Sequence, residues 1–513
     1  MLQTYIQNTA TPVLPKKPLE TPRVIPEMDR PVRQTIMPTS ARSVEPQKPV
    51  EPVAQAPEFS NKESEILQEC RKWMDIVHGT VAEGLHNRQM IKETVENYIA
   101  YVNKGWGDFR KSVTEANEYP CLEWTGKGSI FSDNLGREYI DCLGGYGLYS
   151  AGIRHPKIVK AVEAQLKRNP LSSQELLDPL RGALSKLLSL ITPGNLQYSF
   201  LINNGTDAVE GALKLARGYT HRSGFLSTLG AFHGKSLGSL SLMGKTRYRK
   251  AFEPLLADVA FAEFGDAEEL EFELHKADSI GWPIAAVFLE PIQGEAGAIV
   301  PSDDYWPAVR KACDRYGVLL VADEVQTGLG RTGKMFAVEH WNVVPDILCL
   351  GKALGGGVMP LAAFVSTPEI WTMLEKDPQV HSSTTGGNPL ACAAGIAAIQ
   401  VTIEEDLPGQ AAIKGDYMLK HLHGMEQRYK DIIADVRGKG LLIGVQFRSA
   451  KLGWEVISRL FRKGILVAGT MSSAETVRFE PALNIPFELI DEILNRLEDT
   501  LQEVRHGLAR ASA

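Results

Sequence analysis

Two residue types that could carry chemistry stand at the ends of two predicted strands. The apolar run 318–322 is short and rich in aliphatic and β-branched residues, which is typical of a buried strand, and Asp323 follows it. A second predicted buried strand, 346–350, is followed by Lys352. Ligands of open α/β sheets bind at the carboxyl ends of the strands. A lysine and an acid at that edge indicate pyridoxal phosphate chemistry, because the lysine forms a Schiff base with the cofactor aldehyde and the acid pairs with its pyridinium nitrogen.

A nucleotide-binding motif in the same region favours a different interpretation, which we reject. Gly328, Gly330 and Gly333 spell the G-x-G-x-x-G fingerprint of dinucleotide-binding folds. They lie five or more residues past the strand instead of on a tight strand-to-helix turn, and no second strand follows at the right distance. We therefore predict a glycine-rich surface loop, followed by a weak helix candidate over 334–341.

A phosphate site is predicted where Gly205 and Thr206 follow the predicted strand 198–202 and open a helix. A helix N-terminus offers free N–H groups and the positive end of the helix dipole, and Thr206 adds a hydroxyl. Thr206 could also simply cap the helix. Phe232, beside a glycine near the end of another strand, could stack on a flat heteroaromatic ring, although an aromatic residue there is more often part of the core.

Three further charged residues are candidates for substrate binding. Glu290 and Glu295 follow the predicted strand 284–289, and two acids at the end of a buried strand are unexpected in a core, so one should face the site. Arg478 stands in a short C-terminal strand, where its planar guanidinium could clamp a carboxylate through two hydrogen bonds. The alternative for Arg478 is a surface salt bridge.

The elements that must position these residues follow an α/β pattern with four regions. Strand candidates alternate with helices at 198–202, 225–229, 284–289, 318–322, 347–350 and 362–365. This alternation predicts a mostly parallel sheet with helices on both faces. The predicted regions are a disordered proline-rich extension (1–58), N-terminal helices and small-domain strands (59–150), a large cofactor-binding domain (151–404) and a small α+β domain (405–513).

Bulk composition excludes several classes of partner. The formal net charge of −7 argues against nucleic acid. We found no apolar run of 18 or more residues and no apolar signal core, so we expect neither a membrane span nor secretion. The six cysteines are scattered without a regular framework, which suits reduced thiols in the cytoplasm.

Several motifs together resemble those of class III (ω-) aminotransferases, which belong to the pyridoxal-phosphate superfamily of fold type I. The resemblance runs from about residue 90 to the C-terminus, and its landmarks are NNGTDAVEGALKLAR, GAFHGKSLG, LEPIQGEAG, VADEVQTGLGRTG, PDILCLGKALGGG and STTGGNP. It implies a large domain with a mostly parallel seven-stranded sheet and a small α+β domain. Within the family, the sequence most resembles members that act on putrescine, with cadaverine as a second candidate amine and 2-oxoglutarate as the acceptor.

The resemblance also implies a role for each matching residue. Lys352 would carry the cofactor, Asp323 would pair with its ring nitrogen, and Gln326 would reach its phenolic oxygen. Gly205 and Thr206 would hold the phosphate, with Phe232 and Val325 on the two faces of the ring. Thr384 would reach a phosphate of the neighbouring subunit, which implies a homodimer or a dimer of dimers. Arg478 would bind the α-carboxylate of 2-oxoglutarate or glutamate, with Glu295 as its gating partner when a diamine is bound.

Two departures from the family pattern leave alternatives open. Asp207 stands where glutamate is usual, and Thr385 stands where an aromatic residue is usual. Both leave substrate preference and subunit contacts open. The alternatives are action on ornithine, acetylornithine, lysine or 4-aminobutyrate, an aminomutase on the same fold, and a non-catalytic binding protein that kept the fold.

Overall fold

The computed structural model describes residues 61–79, 85–105 and 121–512. The predicted extension 1–58 lies outside those residues. The chain divides into two compact units, one containing the helix Asn61–Val77 and the other containing all described residues from 85 onward. No helix of the described residues is long and apolar enough to cross a membrane.

The first three strands of the second unit form an antiparallel meander. In chain order they are β1 (Glu123–Lys127), β2 (Ile130–Asp133) and β3 (Glu138–Asp141). The tight turn between β2 and β3 is held by Asp133, whose Oδ1 accepts hydrogen bonds from the backbone N–H groups of Leu135 and Arg137. An acid that bonds to the backbone ahead of it is a common way to build such a turn.

A seven-stranded sheet forms the centre of the second unit. Its strands are β4 (Tyr198–Ile202), β5 (Gly224–Thr228), β6 (Val259–Ala262), β7 (Ile284–Leu289), β8 (Leu319–Asp323), β9 (Ile347–Leu350) and β10 (Ala362–Ser366). The strand order is β4-β10-β9-β8-β7-β5-β6, and only β10 runs antiparallel to its neighbours. The prediction of a mostly parallel sheet is confirmed. The prediction missed β6, a strand at the edge of the sheet whose first three residues are only partly buried.

The C-terminal strands form a second, smaller sheet and extend the first meander. They are β11 (Ile433–Lys439), β12 (Leu442–Phe447), β13 (Ile465–Leu466), β14 (Ala468–Gly469) and β15 (Thr476–Phe479). The antiparallel order is β11-β12-β15-β14, whereas β13 pairs in parallel with β3. Residues far apart in the chain therefore share one sheet.

Helices cover both faces of the large sheet and the outer side of the smaller one. The longer helices of the second unit are Leu85–Asn97, Pro156–Leu166, Pro179–Ile191, Gly205–Thr220, Ala267–Ser279, Tyr305–Tyr316, Pro368–Lys376, Pro389–Glu404, Leu407–Arg428, Ala450–Arg462 and Phe487–Ser512. Shorter helical segments are Tyr98–Val102, Leu237–Ser241, Thr246–Arg249, Lys250–Phe252, Ala337–Trp341, Lys352–Gly355 and Pro378–Val380.

Alternate residues of the central strand β8 supply the two halves of the core. Leu320 and Ala322 belong to the apolar cluster on one face of the sheet, and Leu319 and Val321 belong to the cluster on the other. Every residue of β8 is buried. Complete burial of a large aliphatic side chain contributes about 1.5–3 kcal/mol, so the packing holds the end of β8 in place.

The glycine-rich segment is a loop, as predicted, but its predicted place at the surface was wrong. Residues 325–334 form turns and bends, and seven of these ten residues are buried. Gly330 and Gly333 have φ values of 97° and 96°, a region that favours glycine. A Cβ on Gly333 would lie 3.0 Å from that of Ala412, so this loop packs directly under a helix. Between the two glycines, the fully buried Arg331 donates to the carbonyls of Leu441 and Pro481.

Candidate active site

Five parallel strands bring polar residues to one edge of the large sheet. The carboxyl ends of parallel neighbours meet at the same edge. Five groups of predicted site residues follow these ends: Gly205 and Thr206 after β4, Phe232 after β5, Glu290 and Glu295 after β7, Asp323 at the end of β8, and Lys352 after β9.

Asp323 is buried and paired with a histidine. Its Oδ2 lies 2.7 Å from Nδ1 of His233, and its Oδ1 accepts the backbone N–H of Val325 at 3.1 Å. Burial alone would lower the pKa of His233, but the hydrogen bond and the charge of Asp323 raise it above its ordinary value. The carboxylate is therefore held in one orientation by two donors.

Lys352 occupies a strained backbone position. Its φ is 44°, in the left-handed region that costs a non-glycine residue on the order of 1 kcal/mol. The side chain is partly buried and makes no hydrogen bond or ion pair with any residue that the structure describes. Burial lowers the pKa of Lys352, and the charges of Glu480 and Glu295 oppose that effect. Such an amine is unusually ready to lose its proton and act as a nucleophile or base.

Arg478, on β15, is buried between two carboxylates. Its Nη1 donates to Oε1 of Glu295 at 2.9 Å, and its Nε lies 3.2 Å from Oε2 of Glu480. Burial alone would lower the pKa of Arg478, but the charges of Glu480 and Glu295 raise it. Nη2 is buried and has no hydrogen-bond partner among the described residues. The salt bridge that sequence reasoning allowed exists, but it lies inside the protein.

Gln326 connects the end of β8 to this cluster. Its Nε2 lies 3.1 Å and 3.2 Å from the two carboxylate oxygens of Glu480. A Cβ on Gly294 would lie 1.6 Å from Oε1 of Gln326, so only glycine fits beside this amide. A carboxylate only accepts hydrogen bonds, which fixes the amide with its NH2 group toward Glu480.

The helix that begins at Gly205 presents a polar N-terminus. Oγ of Ser236 and Oγ of Ser239 lie 2.7 Å and 2.6 Å from Oγ1 of Thr206. A Cβ on Gly234 would lie 2.3 Å from the same hydroxyl, so this loop approaches the helix closely. The cap of the helix is Asn204, which accepts the N–H of Asp207. Thr206 is therefore not the capping residue.

Val325 and Phe232 flank this edge of the sheet. A Cβ on Gly205 would lie 2.7 Å from Cγ1 of Val325, and one on Gly351 would lie 3.2 Å from the same atom. Phe232 is partly buried, and the ammonium of Lys235 lies 5.9 Å from its ring centre. The backbone N–H of Phe232 donates to Oε1 of Glu290 at 2.9 Å, and this hydrogen bond fixes the position of Phe232.

The two acids that follow β7 differ in what they contact. The carboxylate oxygens of Glu290 accept hydrogen bonds from the backbone N–H groups of Phe232 and Gly294. Burial raises the pKa of Glu290 to about 7. Glu295 pairs with Arg478 and also accepts the N–H of Met471 at 3.0 Å. Burial alone would raise the pKa of Glu295, but the charge of Arg478 lowers it. Glu295 thus faces the charged cluster, whereas Glu290 supports the loop that carries Phe232.

Thr384 lies apart from this cluster on an exposed segment. Its carbonyl accepts a hydrogen bond from Nε2 of Gln174 at 2.9 Å. The neighbouring Thr385 is also exposed, and its hydroxyl donates to Oδ1 of Asn203 at 3.3 Å. Asp207 lies at the helix N-terminus, where its carboxylate accepts from the side chain of Asn204.

Sequence reasoning missed two residues of the site. His233 stood next to a predicted residue but received no role, and Glu480 stood two positions after Arg478. A signal for Glu480 did exist, because alternate residues of a strand point to the same face. Asp323 and His233 are ninety residues apart, and no local pattern links them.

The sequence and its fold are similar to those of characterised aminotransferases. The family model described as "Aminotransferase class-III" matches residues 113–501. The chain belongs to the class III aminotransferase family. A putrescine aminotransferase from Pectobacterium atrosepticum is 48% identical over 417 residues, which cover 80% of this chain and 89% of that protein.

Two solved structures share the fold. The ornithine aminotransferase of Toxoplasma gondii is 28% identical, with a TM-score of 0.75, and the match covers 88% of this chain and all of that one. An amine transaminase from an uncultivated Pseudomonas species, solved in a PLP-bound form, is 29% identical, with a TM-score of 0.70. That match covers 75% of this chain and 96% of the other.

Class III aminotransferases use pyridoxal 5′-phosphate, and the residues present here fit that group. The helix N-terminus at Gly205 and the hydroxyl of Thr206 suit a phosphate. Nε2 of His233 is buried without a hydrogen-bond partner among the described residues, next to the carboxylate that would face the pyridine nitrogen. The amine of Lys352 is of the type that such a cofactor needs for covalent attachment.

Proposed function

We propose that this aminotransferase moves an amino group from putrescine to 2-oxoglutarate, producing 4-aminobutanal and glutamate. The sequence similarity to a putrescine aminotransferase supports this choice. The observation that carries it is the pairing of Arg478 with Glu295 and Glu480, because a guanidinium already matched by carboxylates suits a donor without a carboxylate of its own.

The cofactor would be held at both ends and on both faces. We assign its phosphate to Gly205 and Thr206, its ring faces to Val325 and Phe232, and its covalent attachment to Lys352. When bound, the cofactor acts as an electron sink for the carbon that loses a proton. The side chains of this protein transfer the proton and bind the substrates.

Two residues provide the acid–base chemistry. Nζ of Lys352 would take the proton from the substrate carbon as a base, which its lowered pKa favours, and would then give it, as an acid, to the cofactor carbon that was attached to the lysine. Asp323, fixed by His233, would keep a proton on the ring nitrogen of the bound cofactor through a buried charge–charge contact. Gln326, whose amide is held by Glu480, would reach the phenolic oxygen of the cofactor.

Arg478 serves the second half of the reaction. When Glu295 turns away, the guanidinium can bind the α-carboxylate of 2-oxoglutarate through two parallel hydrogen bonds. Its unpartnered Nη2 is one of the two donors that this contact needs. Glu295 therefore alternates between closing the anion site for an amine donor and opening it for the oxo acid. Glu290 supports this arrangement through the backbone of Phe232 and does not itself contact substrate.

We infer that the active unit is a homodimer. Leu176 and Leu177 are 80% and 102% exposed, which is costly for two adjacent leucines unless another surface covers them. Gln174 in the same segment bonds to Thr384, so this apolar surface lies beside the residue expected to reach the cofactor phosphate of the partner.

The six cysteines are free, which supports a cytoplasmic location.

A steady-state panel of amines with 2-oxoglutarate tests the proposal. Putrescine and cadaverine should give the highest kcat/KM, with glutamate as the measured product. Ornithine, acetylornithine, lysine and 4-aminobutyrate each carry a carboxylate and should be poorer donors. Absence of turnover with both diamines, together with efficient turnover of one of these four, would refute the assignment.

A further inference from the structure

Arg478 is in contact with two carboxylates. The guanidinium lies 2.9 Å from Glu295 and 3.2 Å from Glu480, on two different nitrogen atoms. All three side chains are buried, with exposed fractions of 1% for Arg478, 6% for Glu295 and 0% for Glu480. Arg331 and Lys352 are further cations close enough to interact with Glu480, and charges in this buried place act strongly on each other because water screens them weakly.

Glu480 is the more firmly fixed of the two carboxylates. Both of its oxygens accept from Gln326, and its backbone N–H donates to the carbonyl of Cys142 at 2.7 Å. A Cβ on Gly147 would lie 2.9 Å from its Oε1, and one on Gly144 would lie 2.1 Å from its backbone oxygen. The surrounding chain therefore packs closely against Glu480.

Glu480 also lies beside the reacting lysine. The point where a Cβ on Gly147 would stand is 2.9 Å from Oε1 of Glu480 and 3.4 Å from Cδ of Lys352. Among the charged neighbours of Lys352, Glu480 opposes the burial effect on its pKa most strongly. The carboxylate is thus a neighbour of both the lysine and the anion-binding arginine.

We propose that Glu480 is a specificity-determining residue that makes the site favour carboxylate-free amines. This inference rests on the proposed function. A diamine brings only positive charge, which the carboxylate of Glu480 attracts. An amino acid donor or 2-oxoglutarate brings a carboxylate, which must bind Arg478 while Glu480 remains in contact with it. Glu480 therefore strengthens amine binding and weakens oxo-acid binding, and it holds Arg478 in place when Glu295 turns away.

The test compares Glu480→Gln, which keeps the shape and removes the charge, with the wild-type holoenzyme. We expect the KM for putrescine to rise about tenfold and the KM for 2-oxoglutarate to fall several-fold. Changes of this size are expected when one buried charge contact is lost. Glu480→Asp keeps the charge and should retain the wild-type ratio of the two KM values. Glu404→Gln, which removes a surface carboxylate, is the matched control and should change neither KM.

A second readout does not depend on which amine is the substrate. The absorbance of the bound cofactor changes with pH as the nitrogen shared with Lys352 loses its proton. Removing a nearby negative charge destabilises the protonated form, so Glu480→Gln should lower the midpoint of this titration by about one pH unit. A midpoint equal to that of the wild type, or KM values that both rise by the same factor, would overturn the role of Glu480. Failure of wild-type enzyme to use putrescine would instead refute the proposed substrate and leave the titration result interpretable.

Discussion

Nδ1 of His233 lies 2.7 Å from Oδ2 of Asp323, and the two residues arrive from different strands of the large sheet. A buried carboxylate that accepts from a ring nitrogen is held in one orientation. This pair is central to the site, because it positions the carboxylate at the end of β8, where it would face the cofactor ring.

We predict that Asp323→Asn lowers kcat by about a thousandfold, in the range that loss of a positioned acid–base group causes. The neutral amide has the same shape but cannot stabilise a proton on the ring nitrogen. His233→Ala should weaken cofactor binding by about ten- to a hundredfold, as expected when a supporting hydrogen bond is lost. Stopped-flow kinetics and titration of the apoenzyme with the cofactor measure the two effects. Near-normal kcat in Asp323→Asn would contradict the assignment.

The contact between Gly205 and Val325 predicts a steric effect on cofactor binding. In Gly205→Ala the new Cβ would lie 2.7 Å from Cγ1 of Val325, which must move from the place assigned to one face of the cofactor. We expect the Kd for the cofactor to rise at least tenfold, as measured by equilibrium titration.

A glycine elsewhere in a helix provides the control for that variant. Gly507 lies in the helix Phe487–Ser512, and a Cβ there would have no atom within 4 Å. Gly507→Ala should keep the wild-type Kd and raise the free energy of unfolding by about 0.5–1 kcal/mol. Equal effects of the two variants on the Kd would refute the steric argument.

The exposed leucines predict where subunits meet. Leu177→Asp should shift the protein toward the monomer in sedimentation velocity, because an aspartate in an apolar interface loses its hydration. Loss of cofactor should accompany the dissociation, since Thr384 of one subunit is assigned to the phosphate of the other. Phe272→Asp changes another exposed apolar residue, on the helix Ala267–Ser279, and should leave the sedimentation coefficient unchanged. A monomeric wild-type protein would contradict the dimer.

Glu324 predicts a pH dependence of stability. This carboxyl is 1% exposed, accepts the N–H of Val338 at 2.9 Å and contacts Thr327, and burial raises its pKa from 4.5 to about 7. Between those two pH values the unfolded chain has released the proton and the folded chain keeps it. The contribution of this group to stability is therefore complete below pH 4.5 and is lost as pH rises to 7.

Glu324→Gln tests that dependence, because an amide does not titrate. Relative to the variant, the wild type should lose up to about 3 kcal/mol of unfolding free energy between pH 4.5 and 7, and the difference should stay constant above pH 7. Denaturant unfolding at a series of pH values measures it. A difference that is independent of pH across this range would show that the carboxyl of Glu324 titrates normally.

The sequence predicted the large sheet well because its strands are short, apolar and separated by amphipathic helices. Tyr198–Ile202, Ile284–Leu289 and Ile347–Leu350 have the predicted limits. The residues at the ends of these strands could be placed at one edge by the rule that parallel strands align their carboxyl ends. That rule places Lys352 and Asp323 at one edge, and the pairing of a lysine with an acid made them candidates.

Contacts between distant segments could not be predicted from local patterns. The burial of the loop at Gly330 depends on Pro408 and Leu483, which come from the C-terminal region. The second carboxylate on Arg478 could be recognised only after the strand β15 was placed next to the large domain. In both cases tertiary packing, and not periodicity, determines the environment of the residue.

The most direct test of amino-group transfer through Lys352 is glutamate formation from putrescine and 2-oxoglutarate by the wild type and by Lys352→Ala. Both proteins should be saturated with pyridoxal 5′-phosphate, and glutamate should be measured against consumption of the amine. The wild type should form one glutamate for each putrescine consumed, and the variant should be slower by at least about a thousandfold, since it lacks both the attachment point and the base. A variant that forms glutamate at the wild-type rate would contradict the central role of Lys352.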